Sequence, residues 1–310
     1  MASGEQMAKR VVGVGEVLWD CFPTGDRLGG APLNFTAHCQ QLGSPFGIQA
    51  AILSRVGNDL LGMQAIQQIE RLGVDTTYLQ VDPQRRTGVV RVELNHGEPT
   101  YDIVNDVAWD YLQWNDRLTD LAKNVDVVCF GSLAQRHNGS REVIQRFLKE
   151  TTAAIRLFDI NLRAPFISGK IVLECMEYVN YVKLNEKELA WLADELGVPN
   201  RDEIESTALA VRHELSLDAL FVTRGVLGCF YVDASGVFGG TVPQLEFAAD
   251  ADAVGAGDAA TAALVVGLLR GLPIAAMVGH ANLVGAYVAS RSGAVPQLPE
   301  SICHHHPNAV

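Results

Sequence analysis

The feature that most restricts the fold is an alternation of strand-like and helix-like segments that persists through most of the chain. Arg10–Gly15, Phe46–Leu53, Val125–Phe130, Ile155–Phe158, Tyr178–Leu184 and Ala219–Thr223 read as inner strands. Pro32–Leu42, Asp59–Leu72, Ser140–Thr151, Glu186–Leu196, Glu203–Glu214, Ala259–Arg270 and Ile274–Ser290 read as helices. Such a rhythm predicts an α/β fold: a mainly parallel central sheet covered by helices in three α/β/α layers. The last two helices are apolar on most sides and are expected to be buried.

Two regions break the rhythm. Leu18–Gly29 reads as a loop or short hairpin after the first strand. In Thr87–Val107, Val90, Val92 and Leu94 interleave with Arg91 and Glu93, and Asn95-His96-Gly97 supplies a turn signal. A β ribbon inserted between α/β units suits a lid over a cleft. No repeat, low-complexity tract or linker divides the chain. Residues 1–310 therefore read as one domain, its lid formed by roughly 16–30 and 87–107. An edge such as Val89–Leu94 could pair with a second subunit, so a homodimer through the lid is expected. The closing His304-His305-His306 reads as a frayed tail.

Composition removes several classes. Hydrophobic residues are 48% of the 310 and charged residues 19%, enough for a sizeable core. The formal net charge is −12 and no basic run occurs, which argues against nucleic acid as a partner. The longest apolar run, Ala259–Leu269, falls well short of the ~20 residues that a membrane span needs. Met1–Lys9 is short and polar, and Arg10–Val17 is too brief for a signal core. Cys21, Cys39, Cys129, Cys175, Cys229 and Cys303 form no CxxC pair, and several sit among apolar residues. Reduced core cysteines and a cytoplasmic location are expected.

The chemistry concentrates in Gly255-Ala256-Gly257-Asp258, directly before the apolar Ala259–Leu269. Backbone N–H groups at a helix N-terminus lack intrahelical partners, and the dipole adds positive potential, so an anion can sit there. A carboxylate beside an anion hole makes sense if it orients a hydroxyl attacking phosphorus. A helix terminus is expected to depress the pKa of that carboxylate.

Other candidates follow predicted strands, where an open α/β sheet borders its ligand crevice: Asp20, Asp159-Ile-Asn161-Leu-Arg163, Asn185-Glu-Lys-Glu188 and Thr223-Arg224-Gly225. Each has a bland reading. Asn185-x-x-Glu188 is equally a capping box. Thr223-Arg224-Gly225 could be the turn of a hairpin leading to Cys229–Val232. Asp159 and Arg163 could form a strand-end ion pair, and Gly29-Gly30 could be a helix entry before Pro32. Gly255–Asp258 could be a tight turn with Asp favoured by the dipole. No Walker loop, protein-kinase set, zinc spacing or G-x-S-x-G elbow occurs, and Gly13-Val-Gly15 lacks the third glycine of a dinucleotide fingerprint.

Together, Gly29-Gly30-Ala31-Pro32-Leu33-Asn34, Ser54-Arg55-Val56-Gly57-Asn58-Asp59-x-x-Gly62, Asp159-x-Asn161-x-Arg163, Asn185-x-x-Glu188, Thr223-Arg224-Gly225 and Gly255-Ala256-Gly257-Asp258 resemble, in order, the ribokinase-like (PfkB) carbohydrate kinases. The resemblance covers residues 10–298. Gly15-Glu16-Val17-Leu18-Trp19-Asp20 and Phe130-Gly131-Ser132-Leu133-Ala134 are similar to the fructokinase branch. It implies transfer of the γ-phosphoryl of ATP to a primary hydroxyl of a small sugar, most readily fructose. It also implies Asp258 as base, Gly255, Ala256 and Gly257 as the anion hole, and Arg163 steadying the transferring group. Asp20, Gly29, Gly30 and Asn34 match sugar positions, and Asn185, Thr223, Gly225 and Asn282 match nucleotide positions. Asn185 and Glu188 match a Mg²⁺ pair acting through water. Asp252, Val254, Ala289 and Gly293 match a monovalent-cation (K⁺) site, although Ala253 stands where the family often has Thr.

Alternatives stay open at this point. Ribose, a 2-keto-3-deoxy sugar acid or a nucleoside could be the acceptor. Trp19, Tyr101 and Trp109 keep an aromatic platform for a nucleoside available. A catalytically silent sugar sensor is the alternative from another class, though a sensor has no need of Asp258.

Overall fold

The computed structural model describes residues 8–22, 25–95, 98–163, 165–200 and 202–304, with the backbone alone at 92–95 and 98–101. Most of Met1–Lys9, the turn residues His96 and Gly97, and the tail residues His305 and His306 lie outside that set. Thirteen strands are described: β1 (Lys9–Val14), β2 (Leu18–Phe22), β3 (Gly25–Gly29), β4 (Ile48–Gly57), β5 (Leu79–Asp82), β6 (Gly88–Asn95), β7 (Glu98–Ile103), β8 (Val127–Gly131), β9 (Ile155–Asp159), β10 (Tyr181–Asn185), β11 (Ala219–Thr223), β12 (Cys229–Asp233) and β13 (Gly236–Gly239). The large sheet has the order β13-β12-β11-β10-β9-β8-β1-β4-β5. Neighbours from β11 across to β5 are parallel, and β12 and β13 return antiparallel. The strand order reverses between β1 and β8, and the carboxyl ends there open a crevice.

Helices α1 (Ala31–Gly43) and α2 (Leu60–Arg71) come first, then α3 (Asp116–Lys123), α4 (Asn138–Glu150), α5 (Gly169–Met176), α6 (Glu186–Glu195) and α7 (Ile204–Glu214), and finally α8 (Ala256–Leu269), α9 (Ile274–Ala289) and α10 (Glu300–Cys303). The period of two along each strand sorts the core into two layers. Val12, Val14, Val128, Phe130, Leu220 and Val222 pack with α3–α7, while Val11, Val127, Cys129, Leu157 and Phe221 pack with α1, α8 and α9. The expected α/β/α layering is therefore present, and α8 and α9 are largely buried. No helix among the described residues is long and apolar enough to cross a membrane.

Boundaries shift for local reasons. The strand expected at Phe46–Leu53 begins at Ile48, because Ser44–Phe46 is a 3₁₀ turn closed by left-handed Gly47. It runs on to Gly57 because Arg55 is buried against Asp82 at 3.2 Å. Helices α3 and α5 and strand β5 carry no expectation above, although Leu118, Leu121 and Ala122 of α3 repeat at helical spacing on its buried face.

The two irregular regions join. Strand β2 pairs antiparallel with β3 and parallel with β6, and β6 pairs antiparallel with β7, giving a separate sheet in the order β3-β2-β6-β7. Within the expected edge Val89–Leu94, β2 covers Val89–Arg91, whereas Val92–Leu94 pairs with β7 alone. The edges of this sheet are β3 and β7.

Candidate active site

The site forms where the N-termini of α1 and α8 face the carboxyl ends of the central strands. Helix α8 starts at Ala256 because Gly255 holds φ 77°, and a Cβ there would stand 2.3 Å from the Ala294 carbonyl oxygen. Only glycine fits that backbone and that approach. No side chain caps the resulting N-terminus. Helix α1 follows Gly30, whose φ of 115° would put a Cβ 2.3 Å from the Glu16 carbonyl oxygen. A Cβ on Gly29 would come within 2.6 Å of an Asp20 carboxylate oxygen. The glycine pair thus lets β3 pass tightly over Glu16 and Asp20 into the helix.

Asn34, on the first turn of α1, donates from Nδ2 to Asp258 Oδ2 at 2.9 Å. This bond joins segments 224 residues apart. It brings Asp20, Gly29, Gly30 and Asn34 to the same place as Gly255–Asp258. The Asn34 side-chain oxygen is buried and has no protein partner.

Burial dominates the electrostatics of the acids. Asp258 has its pKa raised to about 6 by burial and by Asp159, against the opposing pull of Lys183, Asn34 and Arg163. The depressed pKa expected from the helix terminus is not what results, because desolvation outweighs the dipole. Burial likewise pushes Glu16 to about 7 and Asp20 to about 6, each opposed by Arg163. Arg163 itself is exposed, with its Nη1 3.3 Å from the Leu162 carbonyl.

The strand-end ion pair between Asp159 and Arg163 does not form. Asp159 binds Lys183 instead, Nζ lying 3.1 Å from both carboxylate oxygens. Lys183 and Glu16 are the residues that the sequence reading left without a role. Their signal was a charge in otherwise apolar surroundings, Val182-Lys183-Leu184 and Gly15-Glu16-Val17.

Asn185 and Glu188 do make the capping box. Asn185 Oδ1 accepts from the N–H groups of Lys187 and Glu188, and Glu188 Oε2 accepts from the Asn185 N–H at 2.8 Å. Glu188 Oε1 accepts from the Leu162 N–H at 2.9 Å, fixing the loop in which Asn161 takes φ 40°. Thr223-Arg224-Gly225 does turn the β11–β12 hairpin. Thr223, Gly225, Asn282, Ala289, Ala256 and Gly257 also line one cavity of about 860 Å³. Asn282 accepts from the Cys229 N–H at 2.8 Å, and its buried Nδ2 has no protein partner.

At the expected cation site, the Asp252 carboxylate accepts from Arg27 Nη1 at 2.7 Å, from the Gly293 N–H at 3.0 Å and from the Val254 N–H at 3.1 Å. A guanidinium thus already supplies positive charge to this carboxylate.

A pfkB family carbohydrate kinase model matches residues 12–301, and the chain belongs to that family. It is a sugar phosphotransferase. It is 30% identical to PH1459 of Pyrococcus horikoshii, described as an uncharacterized sugar kinase, over 86% of this chain and 82% of that one. The crystal structure of that kinase in complex with ATP superposes with a TM-score of 0.77, covering 92% of this chain and 93% of the other. Fructokinase-1 of Zea mays is 27% identical over 96% of each chain. The fructokinase of Vibrio cholerae O395, in its fructose, ADP and calcium ion bound form, shares the fold with a TM-score of 0.78 at 24% identity, covering 96% of this chain and 98% of that one.

Proposed function

We propose that this sugar kinase transfers the γ-phosphoryl of ATP to a primary hydroxyl of fructose. The observation that carries the reading is the Asn34–Asp258 hydrogen bond, which joins the sugar-side helix to the acid at the anion turn. The cavity beside that turn has the volume and mostly apolar lining that suit a nucleotide base and ribose. Similarity to an ATP-bound sugar kinase and to fructokinases supports the same pair of substrates.

Acceptor choice follows from charge. Glu16, Asp20 and Asp258 gather around the sugar side, with the Arg163 charge opposing them. Acidic surroundings favour a neutral polyol over a sugar acid, because a carboxylate substrate would add like charge. Of the three aromatic candidates for a nucleoside platform, two are packed elsewhere, and the side chain of the third, Tyr101, lies outside the described residues. Trp19 is buried and donates to the Leu61 carbonyl at 3.1 Å, and Trp109 is buried in the core. A coupled ADP-release assay with fructose, ribose, a 2-keto-3-deoxy sugar acid and a nucleoside tests the choice. Faster turnover on any of the others than on fructose would reject fructose, and none on any would favour the silent sensor.

In this reading, Asp20, Asn34 and the Gly29-Gly30 backbone hold the sugar while the β3-β2-β6-β7 sheet covers it and excludes water. Asp258 aims the hydroxyl and takes its proton late, as a loose transition state allows. The Gly255–Gly257 turn and Arg163 offset charge on the phosphoryl oxygens. Thr223, Gly225 and Asn282 border the nucleotide. Mg²⁺ prefers phosphate oxygens and water, so Asn185 and Glu188 would hold it through water beside the nucleotide. When bound, Mg²⁺ neutralises phosphate charge.

Two measurements follow. The rate kcat should fall below about pH 6 with unit slope, because the carboxylate form of Asp258 is the working form and is lost as pH drops through its raised pKa. A flat profile down to pH 5 would remove Asp258 from the proton path. Replacing tetramethylammonium by K⁺ at constant ionic strength should change kcat/KM less than about twofold, since Arg27 already neutralises Asp252. Activation by K⁺ of tenfold or more would mean that the ion displaces Arg27.

A further inference from the structure

Lys183 stands on an inner strand, where its neighbours Val182 and Leu184 are fully buried. A lysine in such a place is costly unless paired. Its register partner across the β9–β10 ladder is Asp159, and the two side chains meet through both carboxylate oxygens at 3.1 Å. Each side chain is only 9% exposed. Nζ set against both oxygens of one buried carboxylate is the geometry of an ammonium. That ammonium lies close to the turn that carries Asp258: a Cβ built on Gly257 would stand 3.5 Å from Nζ.

We propose that Lys183 is a positioning residue for phosphoryl transfer: aimed by Asp159 and set close to Gly257, its ammonium supplies the fixed positive charge facing the Asp258 carboxylate. The proposal rests on the reading of Asp258 as the group that aims the acceptor hydroxyl. Asp258 is faced by Lys183 from β10, by Asp159 from β9, by Asn34 from α1, by Arg163 from the loop after β9 and by Glu16 from the segment after β1. Of these, Lys183 is the strongest opponent of burial, and Asp159 acts in the opposite sense. The two members of one ion pair thus have opposite electrical effects on Asp258, whereas as structural props their effects are the same.

That opposition supplies the test. The pH profile of kcat is recorded for the full chain and for Lys183→Met, Asp159→Asn and the double variant, with the sugar and ATP saturating. Lys183→Met should move the acid limb up by on the order of one pH unit and lower kcat at least tenfold, with the KM for ATP within about threefold. Asp159→Asn should move the limb down. The double variant, which leaves no unpaired buried charge and should fold even where Lys183→Met does not, should have a limb above the wild-type position but below that of Lys183→Met, because Lys183 outweighs Asp159 at Asp258. Circular dichroism checks that each variant is folded. Limbs that stay at the wild-type position in folded Asp159→Asn and double variants, or that shift in the same direction in both single variants, overturn the role of Lys183 while leaving Asp258 intact. Wild-type turnover in Asp258→Asn would remove both readings together.

Discussion

Asp258→Asn is expected to lower kcat by about 10²–10⁴-fold while leaving the KM for ATP within a few-fold. The substitution is nearly isosteric, and the new amide oxygen can still accept the Asn34 Nδ2 hydrogen that Asp258 Oδ2 accepts at 2.9 Å. The turn and the 860 Å³ cavity beside it should therefore persist. What disappears is a carboxylate able to orient the hydroxyl and take its proton. On the proposed reading, the residual rate would come from the anion turn and Arg163, which would stabilise the phosphoryl group without a base. Steady-state kinetics checks the size of the loss, and thermal unfolding checks that the fold survives. Turnover within threefold of wild type would show that the acceptor hydroxyl needs no help from this carboxylate. The pH profile gives a second check, because the limb near pH 6 should vanish in the variant along with most of the rate.

Local chemistry was readable from the chain, and pairings across the fold were not. The glycines at 29, 30 and 255 announced a backbone that side chains could not follow, and each proves to touch another segment at under 3 Å from a would-be Cβ. Inner strands stood out because they are apolar, and their ends collected the polar residues. Lys183 and Asp159 are 24 residues apart and meet only because β9 and β10 align in one register. Arg27 and Asp252 are 225 residues apart, and nothing near either predicts the other. The same distinction explains the Asp258 pKa. A helix dipole is visible in sequence, but the burial that overrides it comes from elements packed around the site. The lid edge is shortened for a related reason: a ribbon drawn alone has two free edges, and β2 covers Val89–Arg91 only in three dimensions.

Gly255→Ala is expected to be far more damaging than Gly257→Ala, although the two lie two residues apart in one turn. At Gly255 the backbone has φ 77°, and the added methyl would stand 2.3 Å from the Ala294 carbonyl oxygen and 2.8 Å from its Cα. Both contacts are with main chain, which cannot swing away as a side chain could. Left-handed strain alone costs about 1–3 kcal/mol, before the clash is counted. Relief requires the start of α8 to move away from the segment at Ala294, carrying Ala256–Asp258 with it. A displacement near 1 Å at a reacting centre can cost 10²-fold in rate. At Gly257 the nearest atom to a new Cβ is Lys183 Nζ at 3.5 Å, an ordinary van der Waals contact. Gly257 lies in the first turn of α8 and not in the left-handed region, so alanine fits its backbone. Denaturant unfolding should thus show a large loss for Gly255→Ala and little or none for Gly257→Ala, and kcat/KM should fall at least 10²-fold in the former. Equal stability of the two variants would mean that the turn can re-form without left-handed backbone, and the anion hole would then lose its structural basis.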